Sequence, residues 1–230
     1  MMEEATEVTS VPVVSQSPPA PAAAGSELWR KILRVAWLSI GLGLLLEILL
    51  LVLAAFAGTA GSSPKPFIAD LFHKVSWSFI VCVGLAFGTT ASKARAGVMG
   101  FLGLISAPLG FSIARAVHKG VGQALDVAAA GGAFPFLIAI VKGLEYGVLG
   151  AALGWLSRKS GKASLGTHIG TGAAIGLTFG VAIIVLIVRA APAPPTSVDL
   201  AARAINEVLF PVGCSVVLYA ADAMGKRLAG

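Results

Sequence analysis

This chain has little charge. Lys, Arg, Asp and Glu make up only 12% of its 230 residues, whereas 57% are hydrophobic and the mean hydropathy is +0.88. A water-soluble domain of this length cannot bury so much apolar surface, so an ordinary soluble fold is excluded. Metal ligands are equally scarce. Three histidines and two cysteines fall at no metal-binding spacing, so no metal site and no cofactor are expected. Cys82 and Cys214 both lie inside apolar runs, where a thiol behaves as a small hydrophobe. There is no Walker-type glycine loop and no Gly-x-Ser-x-Gly elbow. No nucleophile–base pair can be assembled from the scattered histidines, so the chain does not read as an enzyme. The net charge of +6 sits at the ends of apolar runs rather than on one face, which points to lipid headgroups and not to nucleic acid.

What the chain does have is six apolar stretches of membrane-crossing length, at about 34–57, 75–92, 97–114, 133–156, 168–188 and 207–224. The fold class expected is all-α: a polytopic bundle of six transmembrane helices spanning residues 28–230, with the lipid bilayer as its surroundings. Residues 1–27 carry Glu3, Glu4, Glu7 and a Pro/Ala run, and read as a disordered cytoplasmic arm. If all six stretches cross, ten Lys and Arg fall on the side of the termini and six on the other, with Lys142 inside a span. Positive charge marks the cytoplasmic face, so both termini are expected inside a bacterial inner membrane. Trp37, Trp77 and Trp155 near span ends suggest an aromatic belt. The three connections on the outer side are expected to form short interfacial helices, with Thr196 and Asp199 at capping-box spacing. Cutting before Arg30, Arg95 and Lys162 divides the chain into three units, each a basic entry followed by two spans, which fits either an internal repeat or any six-span chain with short inner loops.

In lipid, helices associate through close backbone approach and polar contacts. Gly143, Gly147, Gly150 and Gly154 line the fourth span, and Gly172, Gly176 and Gly180 line the fifth. Their spacing predicts that the fourth and fifth spans form the tightest hairpin, with the third, bearing Gly97, Gly100 and Gly103, packed against it. Pro108 lies mid-span and should free carbonyls one turn earlier.

Three charged residues fall where charge is expensive. Glu47 sits within the longest apolar run, and Lys142 and Glu145 are three apart on the fourth span, near Tyr146. The simplest arrangement gathers Glu47, Lys142 and Glu145 into one intramembrane cluster. Two functions fit. A small transporter or channel-like protein would use that cluster as a coupling site. A non-catalytic subunit or scaffold would use the glycine ridges to bind a membrane-protein partner or a second copy of itself. In the second case the polar cluster is an internal ion pair that fixes helix register.

Overall fold

A computed structural model of the chain describes residues 21–59, 61, 63–90, 94–127, 135–159, 164–191 and 193–228. It is all-helical: α1 (Pro21–Phe56), α2 (Lys65–Gly88), α3 (Arg95–Ala124), α4 (Pro135–Lys159), α5 (Leu165–Ala190) and α6 (Ser197–Leu228). All six helices are long and apolar enough to cross a membrane, and the chain is a multi-pass membrane protein. The expected arm lies outside the described residues over positions 1–20. Helix α1 begins at Pro21 and takes in the rest of it, because proline is accepted in a first helical turn and the alanines that follow favour the helix.

The interfacial helices expected in the outer connections do not form as separate elements among the described residues. Instead α2 and α6 begin early and α3 ends late, each as one continuous helix. The cap at Thr196 does form: its hydroxyl accepts from Asp199 N at 3.1 Å and donates to the Asp199 carboxylate at 2.8 Å. Ser164 caps α5 in the same manner, accepting from Thr167 N at 3.2 Å.

The helices run alternately up and down. The start of α1, the start of α3 and the end of α6 meet at one end, where Asp222 pairs with Lys31 at 2.5 Å and with Arg95 at 3.6 Å. We call this the terminal end and the opposite one the far end. Helices α2, α4 and α6 touch one another across the middle, whereas no two of α1, α3 and α5 do. Burial follows the same division. In the most apolar stretches of α2, α4 and α6, 39%, 44% and 39% of the residues are buried, against 22% in each of α1, α3 and α5. The protein is therefore a six-helix bundle in which α2, α4 and α6 form an inner trio and α1, α3 and α5 lie around it.

The glycines close this arrangement: the expected packing of α3 against α4 is present, whereas the expected tight pairing of α4 with α5 is not. A Cβ on Gly154 would lie 2.6 Å from Ala96 Cα, and one on Gly143 would lie 2.9 Å from the Pro108 ring. A Cβ on Gly147 would lie 3.4 Å from the Gly100 carbonyl oxygen, and one on Gly150 would overlap the Met99 carbonyl. The ridge on α4 is thus filled by α3. Gly172, Gly176 and Gly180 are filled by α6, with Cβ positions 2.7 Å from Pro211 O, 3.0 Å from Val208 O and 2.9 Å from Glu207 Cβ. The α4–α5 hairpin is correspondingly one of the looser neighbours in the bundle. Each ridge lies in a helix–helix contact, but a ridge does not specify which helix fills it.

Two prolines sit inside helices, Pro108 in α3 and Pro211 in α6. A proline has no N–H, so the carbonyls of Leu104 and Glu207 lose their helical donors. Both carbonyls lie against glycine: a Cβ on Gly143 would be 3.0 Å from Leu104 O, and one on Gly176 would be 3.1 Å from Glu207 O. One turn later Ser112 donates to Pro108 O at 2.9 Å and Ser215 donates to Pro211 O at 2.8 Å. The two segments, Pro108-Leu-Gly-Phe-Ser112 and Pro211-Val-Gly-Cys-Ser215, share this pattern residue for residue at Pro, Gly and Ser.

Candidate functional site: a charged layer between the inner helices

Lys142 and Glu145 lie on one face of α4, and Lys142 Nζ donates to the Glu145 carboxylate at 2.9 Å. It also pairs with Glu207, which reaches in from α6. All three residues are buried, Glu145 completely. Lys142 is about 10 Å along α4 and Glu207 about 15 Å along α6 from the far-end starts of those helices, at 1.5 Å per residue. The charges therefore lie well inside the bundle.

Glu47 does not join this group. It pairs with Lys74 of α2, and the α1–α2 contact that brings them together is tightened by Gly43, whose Cβ would lie 2.7 Å from Val75 Cα. The three expected residues thus divide into two sites. Glu47–Lys74 is balanced in charge. With both carboxylates ionised, Lys142 with Glu145 and Glu207 carries one negative charge more than positive.

Directly below, toward the terminal end, each inner helix contributes an aromatic ring. Trp77 of α2 meets Tyr146 of α4 edge-on at 5.5 Å between centroids and Phe210 of α6 at 6.4 Å. Lys142 Nζ stands 5.8 Å from both the Trp77 and the Tyr146 ring centroids, a favourable position for a cation over an aromatic face. Trp77 is only 5% exposed and belongs to this layer rather than to an aromatic belt. Trp37 and Trp155, 73% and 52% exposed, remain on the outside.

Two buried oxygens in this region have no hydrogen-bond partner among the described residues, Glu145 Oε1 and Tyr146 Oη. Buried polar atoms are nearly always satisfied, so each of these oxygens has the capacity to accept a further hydrogen bond.

A second polar group lies nearer the far end. His118 Nε2 and Asp70 Oδ1 are 3.1 Å apart, and the His118 ring stands edge-on to His73 at 5.7 Å. The sequence separation of the two histidines hides this contact. His168 stays at the start of α5, where Nδ1 lies 3.0 Å from Ser164 O and the ring packs 5.1 Å from Tyr219. No group of His, Cys, Asp or Glu suited to a metal ion occurs among the described residues. Cys82 and Cys214 are fully buried in the core, as expected, and they face each other across α2 and α6.

Glu207 and Lys74 are the residues that spacing alone did not single out. A signal was present: on each inner helix a charged residue is followed three or four positions later by an aromatic, as Lys74–Trp77, Lys142–Tyr146 and Glu207–Phe210. No known protein family, curated protein or solved structure matches the chain.

Proposed function

We propose that this protein is a small ion-coupled permeation protein, a transporter or a channel, and not an enzyme, with Lys142, Glu145 and Glu207 holding the ion it carries. The observation that carries this reading is the charge count of the buried layer. One ammonium facing two carboxylates leaves a net negative charge in a medium where an uncompensated charge is very unfavourable. One proton or one small monovalent cation restores neutrality, and the unpartnered oxygens of Glu145 and Tyr146 supply ligands for it. A purely structural ion pair would be balanced, as Glu47–Lys74 is. The excess of Lys and Arg at the terminal end supports an inner-membrane protein with both termini in the cytoplasm.

The test is ion flux in liposomes holding the full chain, driven in turn by gradients of protons, sodium and potassium. Flux of one of these above protein-free vesicles is expected. Absence of flux for all three would end the proposal.

One observation favours the scaffold reading. On α5, Gly166, Gly170, Ala174, Thr178 and Ala182 form an exposed ridge of small residues at helical spacing. Ridges of this kind accept a second helix. If this reading holds, Gly170→Leu breaks up a complex with another membrane chain or with a second copy, as measured by native mass in detergent.

A further inference from the structure

The inner helices carry a third layer below the aromatic one. Cys82 lies seventeen residues into α2 and Cys214 seventeen residues into α6, and their sulfurs meet at 2.9 Å, both fully buried. These are the only two cysteines in the chain. Tyr146, whose hydroxyl has no hydrogen-bond partner among the described residues, lies in one buried cluster with both thiols and is four residues from Lys142 on α4. The polar column along the inner trio thus descends from Lys142, Glu145 and Glu207 through Tyr146 to the thiols. There it stops. Leu85, Leu149, Leu153, Val217, Leu218 and Ala221 fill the space toward the terminal end with an apolar core.

Helix α6 is weakest at this depth. Pro211 leaves the Glu207 carbonyl without a helical donor, and Gly213 directly precedes Cys214. On the facing helix, Gly84 comes two residues after Cys82. We infer that the Cys82–Cys214 contact is the seam of a gate: α2 and α6 part there, by bending of α6 at Pro211, to let the ion leave the charged layer for the terminal end. This inference rests on the proposed function, and the experiment separates the two.

The full chain in liposomes is treated with diamide, a small uncharged azo compound. Its N=N bond takes up the two thiol hydrogens and becomes HN–NH as one S–S bond forms. Closure of the bond is read as a loss of two hydrogens in the intact mass. The expected result is that closure abolishes ion flux, that a dithiol reductant restores it, and that the flux of Cys82→Ser does not respond to diamide. A cross-linked protein with undiminished flux overturns the gate and leaves the proposed function standing. Failure of diamide to close the bond in the folded protein also overturns the gate, because the thiols then do not form the seam. If the reduced protein carries no ion, the proposed function fails, and backbone hydrogen exchange of α4 around Lys142–Leu149 decides the gate. The cross-link must then slow that exchange, by about tenfold if α2 and α6 open there. Unchanged exchange overturns the gate.

Discussion

Pro211 stands four residues after Glu207 on α6, so the residue that reaches Lys142 has a backbone carbonyl with no helical N–H to accept. The side chain answers a cation on α4, while the carbonyl lies against Gly176 on α5. A buried charge and a weakened helix thus occupy the same turn. The arrangement yields predictions that differ from those of a plain structural ion pair.

The charge count predicts unequal roles for the triad. Lys142→Met leaves two buried carboxylates with no cation and should cost about 3–5 kcal/mol, read as a large fall in thermal midpoint in detergent. Glu207→Gln leaves the balanced Lys142–Glu145 pair and should cost about 1 kcal/mol or less. Equal losses would contradict the count.

Glu47 and Lys74 should behave as a closed pair. Glu47→Gln alone leaves the partly buried Lys74 without its Glu47 partner, and adding Lys74→Met should recover much of the lost stability. A double-mutant cycle should return a coupling of about 1–3 kcal/mol. Additive effects would mean that the two residues do not depend on each other.

The glycines should separate by what faces them. Ala at Gly154 must push apart α3 and α4, because its Cβ would sit 2.6 Å from Ala96 Cα, at a cost of about 1–3 kcal/mol. Ala at Gly41, which has nothing within 4 Å, should stay within about 0.5 kcal/mol of the parent. Thermal unfolding of the two variants side by side checks this.

Asp222 should matter little to stability despite its two cationic partners. It is partly exposed, and exposed ion pairs contribute about 0–1 kcal/mol. Asp222→Asn should therefore barely move the midpoint, and any shift should shrink in high salt.

Much of the fold was legible along the chain because crossing a bilayer imposes a length and a composition on each helix. The Lys142–Glu145 contact was legible too, since three residues on a helix place two side chains on one face. The partners across helices were not. Glu47 has no local feature that distinguishes Lys74 from Lys142 as its partner, and Glu207 sits where the apolar run of α6 begins, a position that also suits an interfacial residue. The ridge on α4 is equally suited to α3 or α5, and only the three-dimensional arrangement selects α3. Trp77 was misplaced for a related reason: a tryptophan near the end of an apolar run fits a headgroup belt, but α2 starts ten residues before the predicted span, which carries Trp77 into the core.

The most direct test is ion flux through Glu207→Gln compared with the parent chain, in liposomes matched for folded protein. Removing this carboxylate cancels the excess negative charge of the buried layer, so flux should be lost while the protein stays folded. A folded Glu207→Gln protein that carries the ion as fast as the parent would contradict the account.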